Sequence, residues 1–426
     1  MGRPEHWLNR QRLVAYSRIV LALILLAIVV LCFRAKGLVD PNGKPLGYDF
    51  ITFWAASHMA LDGDPQHAYN VARLFQAEQT AVPGIRAMYA WFYPPSFYLL
   101  ILPLALLPYL VAYFAFLLTT LAAYVAVFRR IAQSREALWC LVGFCGAWVN
   151  ILHGQNAFLT SALAAAALLC LERRPVLSGI LIGLLAIKPH LAVLFPVALA
   201  ATGAWTTFFV AGAVALLLMA AGTAVLGTAT LSAFLGSLPV AQAALETGAL
   251  PWIKMPTVFA MLRLANVPVP AAWLAQGIVA CAAAICVWIV WRHSRVLALR
   301  ASALMTATFL VSPYAYDYDL AGLAFPIAWL AADGIRRGWL RGEREILLAA
   351  WLLPLPMAPL AAAASVQTGP FVLAGLLFLI LRRAARLREG SKAGTEPGAE
   401  RSGSCMPAPQ NTRVIEPAKG ELARSQ

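Results

Sequence analysis

Long uninterrupted runs of hydrophobic residues dominate the chain. Four stretches contain no Asp, Glu, Lys or Arg: residues 87–128, 137–171, 189–245 and 346–381. Because about 20 consecutive apolar residues cross the hydrocarbon core of a bilayer, each stretch holds one or more membrane crossings. The pattern therefore predicts an all-α, polytopic membrane protein.

Short clusters of arginine lie between the hydrophobic runs and predict how the chain is threaded. Cytoplasmic loops are enriched in Lys and Arg, so clusters that all face the cytoplasm require an even number of crossings between them. Pro103 and Pro108 lie inside the run 97–128 and leave open whether it is one helix or two. The runs predict about twelve crossings: 14–33, 97–128, 137–151, 156–171, 175–187, 190–203, 205–226, 271–291, 301–314, 318–333, 346–361 and 368–384.

This threading gathers the polar insertions on one side of the membrane. A helix over 231–245, flanked by Gly and Pro, is predicted to lie along the outer membrane interface. Residues 1–388 form the predicted membrane domain, and residues 389–426, rich in Gly, Pro, Ser, Glu and Arg, are predicted to be a disordered cytoplasmic tail. The insertions predicted to meet on the outer side are 34–96, 152–156, 188–190, 227–270 and 312–319.

Composition supports the membrane assignment and narrows the classes of partner. The 426 residues are 61% hydrophobic and 12% charged, against roughly 25% charged residues in soluble domains. The net charge of +14 does not indicate nucleic-acid binding, because the basic residues lie in short clusters between apolar runs. The sequence contains no Gly-rich phosphate loop, HExxH, GxSxG or CxxC pattern, so neither a metal nor another cofactor is expected.

The first outer insertion contains the most interesting acid, Asp49. In "GYDFITFWAASHMAL" the side chains of Phe50, Trp54 and Ser57 recur at helical spacing, so Asp49 stands at a predicted helix start. We expect its carboxylate to cap that helix by accepting a backbone N–H near Thr52. A carboxylate held in this way is also oriented for chemistry, so the cap and a catalytic role are compatible.

Two further outer motifs carry polar side chains that ordinary turn chemistry does not fully explain. "WFYPPSFY" places Tyr93 at a helix entry, which is typical of an aromatic membrane belt or of a sugar-binding surface. "NILHGQNAFL" places Gln155 and Asn156 in a tight hairpin, although Gln is not a favoured turn residue. A bound polar ligand is the alternative to a simple turn.

The outer cations form another candidate group. Lys188 is the only charged residue between Arg174 and Glu246, and a cation within a membrane helix costs about 2.5 to 3.5 kcal/mol on insertion scales. Either Lys188 snorkels to the lipid head groups or it binds an anionic phosphate. His190 lies two residues later, and Lys254 in "WIKMP" is a second outer cation.

A last polar motif, "VSPYAYDYDLAGL", interrupts two hydrophobic runs near the C-terminal end of the membrane domain. Asp317 or Asp319 is expected to cap the following helix. The tyrosines beside them, including Tyr314, favour a ligand-binding role as an alternative.

Taken together and in this order, the outer motifs resemble glycosyltransferase family 87, the polyprenol-phosphate-sugar-dependent transferases of the GT-C type. The resemblance covers about residues 10–335. It differs in the last motif, where relatives tend to carry histidines and this chain carries Asp317, Tyr318 and Asp319. The matching stretches are "YDFITFWAASHMALDGDPQHAY", "FYPPSFYLLILPLALLP", "GQNAFLTSALAAAAL", "GLLAIKPHLAVLFPVALAA" and "SPYAYDYDL".

The resemblance implies a GT-C helical bundle with juxtamembrane helices on its outer face and a catalytic acid in the loop 34–96. That acid is Asp49, as general base of an inverting, metal-independent transfer. Lys188, with His190 or Lys254, would stabilise the departing phosphate. The remaining candidate substrate contacts are Tyr48, Trp54, Tyr69, Tyr93, Gln155, Asn156, Tyr314, Asp317 and Asp319.

The implied partners are a polyprenyl-phosphate-sugar donor, with mannose the expected sugar, a lipid or glycan acceptor, and membrane lipids, but no nucleic acid. The implied location is a bacterial inner membrane with the active site facing the periplasm. A transporter and a non-catalytic lipid-handling subunit are the alternatives. Transporters usually place ionisable sites near the midplane of two related halves, whereas these ionisable residues lie at helix ends and no second half resembles the first.

Overall fold

The computed structural model describes residues 6–393, and helices make up most of this part of the chain. Its only β-type pairings are two isolated bridges, Lys36 with Val39 and Val39 with Pro45. The predicted tail from residue 394 onward lies outside the described residues. The all-α class is confirmed.

The N-terminal half contains eleven α-helices. Helix α1 is hydrophobic along its whole length and most of its side chains are exposed, as expected for a helix that faces lipid. The helices are α1 (Arg10–Arg34), α2 (Phe50–Leu61), α3 (Val71–Ala81), α4 (Pro95–Ile101), α5 (Tyr109–Ile131), α6 (Arg135–Val142), α7 (Cys145–His153), α8 (Ala157–Cys170), α9 (Pro175–Gly183), α10 (Phe195–Thr202) and α11 (Trp205–Leu226).

The C-terminal half adds eight more α-helices, and short 3-10 turns separate several helices throughout the chain. The helices are α12 (Thr228–Thr247), α13 (Val258–Leu264), α14 (Val269–His293), α15 (Leu297–Val311), α16 (Ala324–Arg337), α17 (Glu343–Leu352), α18 (Met357–Ala364) and α19 (Gly369–Ala393). The 3-10 segments are Pro65–Tyr69, Leu102–Leu106, Leu184–Ile187, Pro189–Leu191, Trp252–Lys254 and Asp317–Leu323.

Five of these helices, α1, α5, α11, α12 and α14, are long and apolar enough to cross a membrane. The number rises to seven if the bent pairs α6 with α7 and α17 with α18 each count as one broken span. By length and composition, the described residues thus supply fewer full spans than the twelve predicted runs. The physical reason is that several runs fold as short apolar helices interrupted by 3-10 turns.

The run 97–128 shows how such a break arises. Helix α4 ends at Ile101, a 3-10 turn carries Pro103, and α5 starts at Tyr109 directly after Pro108. Proline lacks a backbone N–H and fits only in a first helical turn or outside a helix. The single-helix prediction is therefore wrong, and the two-helix alternative is right. The segment 231–245 does form a helix within α12, while its place along the membrane interface stays a prediction.

The outer loop 34–96 has a hydrophobic core of its own rather than being a flexible connection. Phe50, Phe53 and Trp91 are almost fully buried there together with Phe97 of α4, and Phe50 and Phe53 pack against Phe116 of α5. A second and larger core fills the bundle formed by α5, α8, α15, α16 and α19. This loop, predicted to lie on the outer side, is consequently a folded platform packed on the apolar helices, which is what a functional site requires.

The opposite end of the bundle is held by a buried ionic network. Arg383 on α19 is 5% exposed and donates to Asp333 of α16 at 2.9 Å and to Glu343 of α17 at 3.3 Å. Its guanidinium also donates to the Gly338 carbonyl at 2.8 Å. Because each buried charge has a partner, the network ties three helices together at a defined geometry.

Candidate functional site

Asp49 lies at the start of α2, as predicted, and its side chain is half-buried. The chain enters through two left-handed residues, Gly47 at φ +88° and Tyr48 at φ +38°. A tyrosine in that region is strained, and such strain is concentrated at functional sites. The carboxylate makes no capping bond, and the Thr52 N–H instead donates to the Asp49 backbone carbonyl at 3.1 Å. The predicted side-chain cap is therefore wrong.

The Asp49 carboxylate is turned toward the hairpin between α7 and α8. Gln155 Nε2 donates to Asp49 Oδ2 at 3.1 Å, and Tyr93 OH donates to Gln155 Oε1 at 2.9 Å. Tyr69 OH in turn donates to the Tyr93 backbone carbonyl at 2.7 Å. Gln155 is only 4% exposed, so both ends of its amide are fixed. This Asp49 relay, consisting of Asp49, Gln155, Tyr93 and Tyr69, orients the carboxylate.

Gly154 explains how the hairpin comes so close to Asp49. Its φ is +60°, and a Cβ placed there would lie 2.5 Å from the Cβ of Phe50 and 3.1 Å from the Gly47 carbonyl oxygen. Only glycine satisfies both the left-handed backbone and this close approach. The hairpin segment "HGQN" therefore packs directly against the start of α2, where Asp49 lies.

A pair of nitrogen groups lies near Tyr48, the residue before Asp49: His153 at the end of α7 and Lys254 in the 3-10 segment Trp252–Lys254. Lys254 Nζ lies 2.8 Å from His153 Nε2, while His153 Nδ1 lies 2.8 Å from the Val149 carbonyl oxygen. Nδ1 must donate to that carbonyl, so a neutral His153 accepts from the ammonium group through Nε2. Two of the three ammonium protons of the half-exposed Lys254 then stay available. The His153 ring lies 5.3 Å from the Tyr48 ring.

The predicted cation Lys188 is buried rather than near the head groups. It is 4% exposed, and its Nζ forms an ion pair of 2.5 Å with Asp319 Oδ1. The ring of Tyr318 lies 4.9 Å from the same Nζ. The snorkelling alternative is thus wrong, because ionisable residues inside a membrane bundle are usually paired with each other.

Asp319 and Asp317 differ in their bonding. Asp319 Oδ2 accepts the Tyr316 N–H at 3.0 Å as part of a capping box at the start of the 3-10 segment Asp317–Leu323, whose N-cap is Tyr316. The N-cap of α16 is Leu323, so the expected cap of that helix by Asp317 or Asp319 is wrong. Asp317 Oδ1 accepts the Tyr318 N–H at 2.9 Å. Burial raises the pKa of the Asp317 carboxyl, while the nearby charges of His153 and Lys254 lower it.

The tyrosines of this last motif connect Lys188 and Asp319 with His153 of the α7–α8 hairpin. The Tyr316 and Tyr318 rings stack at 5.2 Å, and the Tyr318 ring lies 5.5 Å from the His153 ring. Tyr316 lies within electrostatic range of Asp49 and of both acids of its own motif. The structure therefore brings the first outer loop, the α7–α8 hairpin, Lys254 and the last motif to one place.

Other predicted residues lie around this cluster without joining its hydrogen bonds. Trp54 Nε1 donates to the Leu107 carbonyl at 2.9 Å, so its indole helps anchor α2. The rings of Tyr314 and His190 are 6.5 Å apart. Asn156 is fully buried, and among the described residues its side-chain amide has no hydrogen-bond partner.

Sequence reasoning missed His153 and a buried acid, Glu78. Glu78 is fully buried, and neither carboxyl oxygen has a hydrogen-bond partner among the described residues. Burial raises the pKa of Glu78 to about 8, and the nearby charge of Asp49 also raises it. One signal was available: Glu78 follows the buried Leu74 by four residues, which puts both on the packed face of α3.

The apolar helices and the folded outer platform define a multi-pass membrane protein. The family model of glycosyltransferase family 87 matches residues 91–313, just over half of the 426 residues. The chain belongs to glycosyltransferase family 87 and is a membrane glycosyltransferase. Neither the curated proteins nor the solved structures yielded a match.

The matched segment contains part of the site. It includes Tyr93, Gln155, Lys188 and Lys254, whereas Asp49 precedes it. The motif with Tyr314, Asp317 and Asp319 follows it directly. Membership of a glycosyltransferase family settles the choice between an enzyme and the transporter or lipid-handling alternatives.

Proposed function

We propose that the protein is an inverting, metal-independent glycosyltransferase that moves a sugar, with mannose the expected one, from a polyprenyl phosphate to a lipid or glycan acceptor. The observation that carries this proposal is the half-exposed Asp49 carboxylate, which is held by Gln155. Lys254 is linked to the same region through His153, whose ring packs on Tyr48 next to Asp49. A base and a cation within one site are what transfer from a phosphate leaving group requires.

In the proposed reaction, the acceptor hydroxyl oxygen attacks the anomeric carbon of the donor. The bond from that carbon to the phosphate oxygen breaks, and the polyprenyl phosphate leaves with the electron pair. Asp49 takes the proton of the acceptor hydroxyl as the new bond forms. Attack from the face opposite the phosphate inverts the configuration at the anomeric carbon.

Lys254 is the better placed of the proposed phosphate ligands. Its ammonium group is half-exposed and keeps protons free of internal partners. Lys188 is neutralised by Asp319, so we propose that it acts mainly by holding the last motif in place. His190, whose Nε2 is buried without a hydrogen-bond partner among the described residues, stays a proposed contact of the leaving group.

The proposed substrate contacts are the aromatic and amide side chains around the Asp49 relay. Aromatic faces such as Tyr48 and Tyr316 would stack on the sugar and exclude water that would otherwise hydrolyse the donor. We further propose that the site faces the periplasm of a bacterial inner membrane, because the arginine clusters favour the opposite side for the cytoplasm.

Product analysis tests this function. Purified protein in detergent is incubated with polyprenyl-phosphate-mannose and a lipid acceptor extract, with the nucleotide sugar GDP-mannose as a parallel donor. We expect a mannosylated product only from the lipid donor, with the opposite anomeric configuration by NMR. Retained configuration, or turnover with the nucleotide sugar alone, would contradict the proposal.

A further inference from the structure

A second cationic site lies beside the outer end of α1. The cavity there has a volume of about 590 Å³. Three of its lining side chains are basic, Arg34, Lys36 and Arg86, and one is acidic, Asp40. A cavity of this size and charge matches the phosphate of a lipid head group in its chemistry.

The acid in the cavity does not neutralise these cations. Asp40 is 4% exposed, and its Oδ1 accepts the backbone N–H groups of Asn42 and Lys44, both at 2.8 Å. Its Oδ2 accepts the Tyr48 hydroxyl at 3.4 Å. In the part of the chain that the structure describes, Arg34, Lys36 and Arg86 form no salt bridge and no side-chain hydrogen bond.

The walls of the cavity are fixed by the backbone. Isolated bridges pair Lys36 with Val39 and Val39 with Pro45, and the Arg86 N–H donates to the Gly43 carbonyl at 2.8 Å. Gly43 has φ +78°, and a Cβ there would lie 2.8 Å from Arg86 Nε. The arginine side chain therefore packs directly on the turn that holds Asp40.

The position of the cavity favours a lipid over a soluble anion. Helix α1 is a membrane-spanning candidate, and hydrophobic residues near its end are exposed, with Phe33 at 87%. Lipid head groups lie at this level of a bilayer. Three basic side chains around one cavity give it a positive charge that complements an anionic phosphate.

The cavity adjoins the Asp49 site through Tyr48. Asp40 contacts the Tyr48 hydroxyl, and Asp49 is the next residue in the chain. The Tyr48 ring packs against His153, and His153 is the hydrogen-bond partner of Lys254. Tyr48 is thus flanked by two cationic regions, and transfer between two phosphate-bearing lipids requires two such regions.

We infer that the cavity formed by Arg34, Lys36 and Arg86 binds the phosphate of an anionic lipid head group. This inference rests on the proposed function where it assigns that lipid to the acceptor, whose hydroxyl would then reach Asp49. The region of Lys254 is left for the donor phosphate.

Lipid binding in the purified protein tests the inference without relying on catalysis. Native mass spectrometry counts phosphatidylglycerol and phosphatidylcholine bound at equal mole fractions to wild type and to the triple variant Arg34→Gln, Lys36→Gln, Arg86→Gln. We expect wild type to prefer phosphatidylglycerol and the triple variant to bind it about 10-fold to 100-fold more weakly. The double variant Arg34→Lys, Arg86→Lys keeps the charge and should retain most of the binding.

A matched control removes three arginines at another membrane-facing loop: Arg129→Gln, Arg130→Gln and Arg135→Gln, all exposed. Equal losses in the two triple variants, or none in either, would overturn the inference. Displacement of the lipid by glycerol 1-phosphate alone would assign the cavity to a soluble anion and overturn it too. Asp49→Asn should bind phosphatidylglycerol as wild type does, so failure of the catalytic proposal would appear separately, as turnover by this variant.

Discussion

At the scale of single residues, the site depends on a carboxylate that is oriented by a neighbour rather than by its own helix. The Asp49 carboxylate does not form the side-chain cap expected at a helix start, and it accepts a hydrogen bond from Gln155 instead. The Gln155 amide is itself fixed by Tyr93. Such support from a second layer of residues is what holds a reacting group within a few tenths of an ångström.

Replacing Gln155 should show whether it orients the Asp49 carboxylate or contributes to binding of the lipid donor. In Gln155→Leu the Asp49 carboxylate loses its donor and rotates, so we expect kcat to fall about 10-fold to 100-fold, because misplacement of a reacting group by about 1 Å has effects of that size. KM for the lipid donor should change little. Steady-state kinetics measures both constants, with Gln242→Leu on the exposed face of α12 as control. A rise in KM with unchanged kcat would contradict the orienting role.

The buried acid Glu78 should make the stability of the folded protein depend on pH. Its pKa is about 8 in the folded protein against an ordinary value of 4.5. Between these values the folded protein keeps a proton that the unfolded chain releases, so stability falls as the pH rises from 4.5 to about 8. Glu78→Gln removes this titration and should gain thermal stability relative to wild type as the pH rises.

Unfolding midpoints followed by tryptophan fluorescence in detergent, from pH 5 to about pH 8, measure this difference. Asp62→Asn, an exposed acid of the same loop, should follow the wild-type profile. Parallel profiles for Glu78→Gln and wild type would show that Glu78 does not titrate in this range.

At the scale of elements, the site is a junction between the start of α2 and the hairpin joining α7 to α8. The junction is possible because Gly154 has neither a Cβ nor a steric barrier to its positive φ. Gly154→Ala should push the hairpin away from Phe50 and lower both thermal stability and transfer rate. The left-handed backbone alone costs an alanine about 1 kcal/mol, and the clash adds to it.

Gly212→Ala in α11 is the matched control, since no atom lies within 4 Å of a Cβ at that position. Alanine in an open helical position should be neutral or stabilising by about 0.5 to 1 kcal/mol. Unfolding midpoints and initial transfer rates of the two variants are compared. Equal behaviour of the two would show that the hairpin does not depend on close approach at Gly154.

Hydrophobic runs predicted the helical class and most of the helices, because a helix that crosses the lipid needs about 20 consecutive apolar residues. They did not locate the breaks fully, since a proline such as Pro103 permits a kink, a turn or a new helix. Side-chain pairing was not predictable at all. Lys188 meets Asp319 across 131 positions and His153 meets Lys254 across 101, and nothing in a single sequence marks such partners.

The same limit explains the error at Asp49. A carboxylate at a helix start caps by default, and only the fold shows that the Asp49 carboxylate accepts from Gln155, 106 positions away. Motif resemblance selected Asp49 among several acids of one loop, and its role as the base stays a prediction. The family match confirmed the enzyme class from residues 91–313.

At the scale of the whole molecule, the described residues combine a bundle of apolar helices with a folded platform formed by the loop 34–96. The platform core around Phe50 and Phe53 packs on α5 and carries Asp49 at its edge. Cationic groups lie on both sides of Tyr48 next to that edge. This arrangement suits a reaction in which two lipids approach one base from the membrane.

The central claim is that Asp49 is the general base of this glycosyltransferase. Its most direct test is kcat of purified Asp49→Asn under saturating polyprenyl-phosphate-mannose, beside Asp62→Asn, which removes an exposed acid of the same loop. We predict a loss of about 100-fold to 10,000-fold for Asp49→Asn, with unchanged thermal stability, and near wild-type turnover for Asp62→Asn. Wild-type turnover in Asp49→Asn would contradict it.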